Sequence, residues 1–204
     1  MKILIGMCTG GQVQAQTVAS LIGALDQLKK YAGNLEYKVS IQIGGDKAQN
    51  MNRLARETVE GKFEYLMSID ADMVFPADGI IKLIENDKDI VGANYAVRGN
   101  AVDGHAGEAV IKIADKNGKR INIPLSELPD KLFPCNALGN GFILYKAKVF
   151  KDIPAPWFKV TEDKDGNWGG EDVLFHEVAQ KAGFEMWCNP KIHMGHIGTF
   201  NYEI

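Results

Sequence analysis

Two carboxylates one residue apart, Asp70 and Asp72, close the apolar run from Phe63 to Ile69. Alternate residues of an extended chain face the same side, so the two acids can converge on one point. Converging carboxylates call for a cation, and hard oxygen ligands suit magnesium or manganese. The plainer account is a strand end with one helix-capping Asp and one solvated Asp. A second acidic pair, Glu171-Asp172, follows Trp168-Gly169-Gly170 and precedes an apolar helical pattern. Acids there suit a helix N-terminus. They also suit a general base beside a mobile, glycine-rich segment, with Trp168 offering a flat face to a sugar or base. His193 and His196 stand three apart in a glycine-bearing tail; strand alternation turns only one of them to any given face. His105, in an expected loop, and His176, within an expected helix, are less clearly placed for chemistry.

The elements that must position these residues read as an alternation. Residues 2 to 8 are a short apolar run, as in a strand buried on both faces. From Gln14 to Tyr31, Val18, Leu21, Ile22, Leu25 and Leu28 fall at helical spacing, and Gly33-Asn34 ends that helix. Tyr37 to Ile43 alternates as a strand, and Lys47 to Gly61 is again helical. The strand into Asp70 follows. A helix opens near Pro76, and a short strand runs from Ile90 to Tyr95. Strand-helix repetition of this kind predicts an α/β fold with a right-handed, mostly parallel sheet and helices on both faces. The second half is mixed. Val110 to Ile113 and Arg120 to Ile123 flank the turn Asp115-Lys116-Asn117-Gly118; residues 124 to 134 are proline-rich and irregular; Ala137 to Tyr145 is a glycine-bearing strand. Thr161 to Gly170 reads as a mobile loop, Val173 to Ala182 as a helix and Phe184 to Cys188 as a strand.

In an open α/β sheet, ligands sit at the carboxyl ends of the strands. Three loops meet there: Thr9 to Gln12, Gly44 to Gln49, and Asp70 to Asp72. The first two are glycine-rich and allow close backbone approach, but neither carries a dinucleotide fingerprint or a P-loop lysine. Composition narrows the field. The 204 residues carry a net charge of -3 with no basic cluster, which argues against nucleic-acid binding. No apolar run is long enough to span a bilayer, and the N-terminal run reads as a first strand rather than a signal peptide. Cys8, Cys135 and Cys188 are odd in number and widely spaced, so free thiols and a cytoplasmic setting are expected.

The order of these stretches resembles a family-two-like glycosyltransferase of the GT-A fold, of a compact bacterial or viral type. The matching segments are Ile69-Asp70-Ala71-Asp72, Gly139-Asn140-Gly141-Phe142-Ile143-Leu144, Gly169-Gly170-Glu171-Asp172-Val173-Leu174-Phe175, Gly183-Phe184-Glu185-Met186-Trp187 and Gly195-His196-Ile197-Gly198. The resemblance covers nearly the whole chain and implies one GT-A domain, with residues 1–97 as a nucleotide-binding half and 98–204 as an acceptor and metal-closing half. It implies that Asp72 binds Mn2+ or Mg2+ directly and that Asp70 contacts the ribose or the metal through water. His196 then closes the metal shell, with His193 as competitor. Asp172, beside Glu171, becomes the base. Thr9, Gly10, Gly44, Asp46 and Ala71 fall to the nucleotide, Asn52 and Arg53 to the diphosphate, and Gly141 to the sugar and acceptor. Here Met51-Asn52-Arg53 stands where the family usually shows Ala-Arg-Asn.

The expected activity is metal-dependent transfer from a nucleotide-sugar, with UDP as the nucleotide, to a carbohydrate acceptor hydroxyl with inversion. The chain is then either self-contained or one part of a longer multidomain glycosyltransferase. Two rivals remain. A sugar-phosphate nucleotidyltransferase normally has a basic residue in its first glycine loop, which Thr9-Gly10-Gly11-Gln12 lacks. A non-catalytic carbohydrate-binding module would need no nucleotide.

Overall fold

A computed structural model describes residues 1–31, 35–96, 108–114, 120–162 and 168–198. Gly33-Asn34, His105, the Asp115–Gly118 turn and the side chain of Trp168 lie outside the described residues. In chain order the elements begin with β1 (Lys2–Thr9), α1 (Ala15–Tyr31), β2 (Glu36–Ile43), α2 (Lys47–Glu60), β3 (Tyr65–Asp70), β4 (Met73–Val74), α3 (Gly79–Glu85) and β5 (Ile90–Gly92). There follow β6 (Glu108–Ala114), β7 (Arg120–Pro124), β8 (Phe133–Cys135), β9 (Phe142–Lys146), α4 (Ala147–Asp152), β10 (Thr161–Glu162), β11 (Trp168–Gly169), α5 (Glu171–Lys181), β12 (Met186–Cys188) and β13 (Gly195–His196).

The main sheet has seven strands in the order β2-β1-β3-β9-β5-β12-β8. Strands β2, β1, β3, β5 and β12 run one way, while β9 and β8 run against them. The sheet therefore draws strands from both halves of the sequence, and β9 is wedged antiparallel between β3 and β5. The fold is a mixed, mainly parallel α/β arrangement, as the alternation predicted.

Side-chain alternation divides the core. Ile3, Ile5, Met7, Met67, Ile69, Phe142 and Leu144 pack with Ala24 and Leu28 of α1 and Ile80 and Leu83 of α3. Leu4, Leu66, Ile143 and Tyr145 turn to the other face, against Met51, Leu54 and Ala55 of α2, Val149 and Phe150 of α4 and Phe175 and Ala179 of α5. Strands buried on both faces need no polar stripe, which is why β1, β3 and β9 read as unbroken apolar runs. Gly6 of β1 lets α2 come close: a Cβ there would lie 2.6 Å from Leu54 Cδ1.

Several boundaries differ from expectation. α3 begins at Gly79, and Pro76 instead accepts a turn hydrogen bond from Gly79 N at 2.9 Å. The regular strand expected over Ala137–Tyr145 starts only at Phe142, because residues 137 to 141 run past Tyr95 as irregular chain. The segment Thr161 to Gly170 is tied at its base, where β10 and β11 pair Thr161 with Gly169 and Glu162 with Trp168. Residues 133–135 of the proline-rich stretch form edge strand β8, whose Pro134 sits where a missing N–H is tolerated. All three cysteines are free. Among the described residues no helix is long and apolar enough to cross a membrane.

Candidate active site

The five co-directed strands end at one edge of the sheet, and the first turns of α2 and α5 open there. Thr9 ends β1, Ile43 ends β2 and Asp70 ends β3. Between them lies a cleft of about 280 Å³ lined by Cys8, Thr9, Gly10, Gln12, Gln14, Lys47, Asp70, Ala71 and Asp72.

The wall of this cleft is tied by backbone hydrogen bonds. Thr9 Oγ1 donates to Gln12 O, and Gly11 N donates to Thr9 Oγ1 at 3.2 Å. Gly44 N donates to Thr9 O at 3.1 Å, so the two glycine loops are held together. Gly44 and Gly45 both have φ near +71°, a left-handed pair that only glycine adopts easily. Asp46 is the N-cap of α2 and its carboxylate accepts from Gln49 N at 2.7 Å. Ala71 O accepts from Thr17 Oγ1 and Gln14 N, which anchors the Asp70–Asp72 turn to α1.

Asp70 and Asp72 both line the cleft, but they face different neighbours. The chain turns at Ala71–Asp72 instead of staying extended, so strand alternation no longer relates the two carboxylates. Lys47 Nζ stands 2.6 Å from each oxygen of Asp70. Burial alone would lower the pKa of Lys47; the charge and hydrogen bonds of Asp70, with help from Glu171, more than offset this and leave it raised. Asp72 Oδ1 faces His196 Nε2 at 3.6 Å, both side chains being mostly buried. His196 rides on β13, which pairs antiparallel with β4, and Ile197 N donates to Asp72 O at 2.9 Å. The ring's other nitrogen, Nδ1, lies 2.8 Å from Ala96 O. A carbonyl only accepts, so Nδ1 carries the proton and, in the neutral ring, Nε2 keeps a lone pair towards Asp72. Nε2 has no hydrogen-bond partner among the described residues. His193 is exposed and does not share this position.

Among the described residues no group of three or more His, Cys, Asp or Glu side chains is arranged to hold a metal ion. Asp72 and His196 nevertheless fit one. A buried lone pair facing a carboxylate is stabilised by a cation between them, and magnesium-type sites commonly take one or two protein ligands and complete the shell with phosphates and water.

Glu171 and Asp172 form the first turn of α5, where the helix dipole favours acids. Burial, and then the charge of Glu171, push the Asp172 carboxyl up to about 6; Val173 N, donating to Oδ1 at 2.7 Å, and Lys47 pull against this. Behind the pair runs a buried polar chain. Leu138 N donates to His176 Nδ1 at 3.3 Å, so the proton of the neutral ring sits on Nε2, 3.0 Å from Tyr145 Oη. Tyr145 donates to Asn140 Oδ1 at 2.7 Å, and Asn140 Nδ2 reaches Glu171 Oε1 at 3.5 Å. Ser68 Oγ donates to Asn140 O at 2.8 Å, linking β3 to the same turn. Gly139 and Gly141 give room for Tyr95, whose hydroxyl accepts from Gly141 N at 3.0 Å and whose ring meets His196 edge-on at 5.3 Å.

The structure thus brings Thr9, Gly10, Asp70, Ala71 and Asp72 into one cleft, with His196 closing on Asp72; Gly44 and Asp46 shape the adjoining turn. Asn52 and Arg53 are elsewhere. The Asn52 amide accepts from Trp157 N and Phe158 N and donates to Phe158 O, a structural tie across the α2 face. Arg53 lines a separate groove with Arg56 and Pro156. The cation that does enter the cleft, Lys47, escaped the sequence reading. Its signal was available: a lysine opening a helix opposes the helix dipole and invites an explanation. The Asn140–Tyr145–His176 chain left no local signal, since its members meet only through the tertiary fold.

Comparison with known structures places this architecture. A197 from STIV superposes with a TM-score of 0.64 at 17% identity, covering 98% of this chain and 87% of that one. GalNAc-T7, in a crystal structure with UDP, GalNAc and Mn2+, superposes with a TM-score of 0.60 at 15% identity; 97% of this chain is covered, but it spans only 44% of the GalNAc-T7 chain. The chain has a GT-A-like glycosyltransferase fold. No protein-family model matches the sequence, and no curated protein matches it.

Proposed function

We propose that this chain is a metal-dependent glycosyltransferase that moves a sugar from a nucleotide-sugar, with UDP as the nucleotide, to a carbohydrate hydroxyl with inversion. The observation that carries the reading is the Asp72–His196 pair: a buried imidazole nitrogen, Nε2, with no hydrogen-bond partner among the described residues, facing a carboxylate at 3.6 Å at the edge of a GT-A-like sheet where ligands gather. The GalNAc-T7 structure, holding UDP, GalNAc and Mn2+ on the same fold, supports it.

Asp72 and His196 would hold Mn2+ or Mg2+, which when bound offsets the negative charge that gathers on the departing diphosphate. Thr9, Gly10 and the Gly44–Asp46 turn would border the nucleoside, with Asp70 directed to ribose or metal-bound water. As the acceptor oxygen bonds to the anomeric carbon, the bond from that carbon to the diphosphate breaks and the hydroxyl proton passes to Asp172. A carboxylate with a pKa near 6 is ionised at neutral pH yet more basic than an ordinary Asp. Glu171, steadied by Asn140, would orient the acceptor.

Calorimetric titration of UDP in the presence and absence of Mn2+ tests the assignment. Wild-type chain should bind UDP with Mn2+ and lose most of that affinity in EDTA. Asp72→Ala and His196→Gln should each weaken the metal-dependent part by about 10- to 100-fold. UDP affinity in Mn2+ that is indifferent to both substitutions sinks the metal assignment.

A further inference from the structure

Among the described residues Lys47 is the one cation lining the cleft, since Arg53 and Arg56 border a different groove. Its ammonium contacts both oxygens of Asp70 at 2.6 Å, so while that pair stands Asp70 offers a metal or its water only a partly neutralised carboxylate. Asp70 and Asp72 put two negative charges on the wall of a cleft proposed to receive a diphosphate, and among the described residues only Lys47 opposes them there. A diphosphate presents more negative charge than one carboxylate, and lysine acts as a movable point charge on a flexible stem. The Lys47 side chain is 35% exposed and Asp70 20%, so neither is locked in the core and the pair can open.

We infer that Lys47 is the diphosphate-binding cation of this cleft and that its pair with Asp70 is an exchange contact. Phosphate oxygens take the ammonium, and Asp70 is released towards the divalent ion and its waters. Without ligand the cleft is partly neutralised by its own lysine; with ligand the same lysine and the metal share the phosphate charge. Metal and diphosphate each loosen the Lys47–Asp70 contact that opposes the other, so their binding is mutually favourable. This inference rests on the nucleotide-sugar reading of the cleft.

Its signature is a pair of opposite effects that a merely structural ion pair would not produce. Calorimetry on the full chain, with Mn2+ alone and with inorganic pyrophosphate in EDTA as probes, reads it. Lys47→Met should bind Mn2+ about fivefold more tightly, since Asp70 is set free, and pyrophosphate at least about tenfold more weakly. Lys47→Arg should keep pyrophosphate binding within about threefold of wild type. Asp70→Asn should bind metal-free pyrophosphate about fivefold more tightly, because Lys47 is no longer held. Loss of Mn2+ affinity in Lys47→Met, or wild-type pyrophosphate affinity in either Lys47→Met or Asp70→Asn, overturns the exchange. A wild-type chain that takes neither Mn2+ nor pyrophosphate overturns the nucleotide-sugar reading, and the exchange with it.

Discussion

Asp172 should be a residue that the fold tolerates at a loss of stability. Its carboxyl ionises near 6 in the folded chain against an ordinary 3.8, because burial and the neighbouring Glu171 disfavour its charge. Below about pH 4 folded and unfolded chains are both protonated at this position, and it contributes nothing. Between about pH 4 and 6 the unfolded chain gives up the proton while the folded chain keeps it, so stability falls as pH rises. Above about pH 6 the full penalty is present. An interval of about two pH units corresponds to about 3 kcal/mol, which partial exposure reduces to about 2 kcal/mol. Asp172→Asn keeps an oxygen to accept from Val173 N and removes the charge. It should therefore stabilise the chain by about 2 kcal/mol at pH 8, raising Tm by about 4–8 °C, with the advantage shrinking to nothing below about pH 4. Thermal unfolding followed by circular dichroism at pH 4 and pH 8 measures both numbers. In the wild type, kcat/KM for sugar transfer should climb with pH up to about 6 and then level, and this activity should vanish in Asp172→Asn. A variant no more stable than wild type at pH 8, or one whose advantage is the same at both pH values, refutes the reasoning.

Two further substitutions test the scaffold behind the site. Gly139→Ala would place a Cβ 2.1 Å from Tyr95 Oη; the ring that borders His196 must move, and urea unfolding should show a loss of about 1–3 kcal/mol. Tyr145→Phe removes the donor to the buried Asn140 Oδ1 without changing the apolar packing against Phe150, Phe158 and Phe175. Its unfolding midpoint in urea should fall by an amount equal to about 1–3 kcal/mol with an unchanged slope; an unchanged midpoint would show that the polar chain adds nothing to stability.

The front half of the fold was legible because its information is local. Val18 to Leu28 and Met51 to Val59 carry a helical period, and the runs into Thr9 and Asp70 are apolar on both faces. What sequence could not supply was pairing between distant segments. β9 looks like any buried strand, and nothing in Phe142–Lys146 reveals that it runs antiparallel between β3 and β5. The site followed the same division. Asp70, Asp72, Glu171 and Asp172 stood out because acids at element ends need a reason. His196 gained its place over His193 through the β13–β4 pairing, which brings Nε2 to Asp72. Lys47 carries no family motif of its own, whereas Asn52 and Arg53, one turn further along α2, resemble one yet border a different surface.

The β13–β4 pairing has a consequence for the order in which the molecule becomes competent. Thr9, Lys47, Asp70 and Asp72 leave the ribosome early, and β1 to β3 can gather them into a cleft. His196 emerges far later, after β9 and β12 in the chain, and meets Asp72 through the β13–β4 pairing. A half-built chain would expose a cleft lined with acids and balanced by one lysine, without the imidazole that completes the proposed pair. Under the proposed function, metal capture that needs both Asp72 and His196 would wait until β13 has paired with β4.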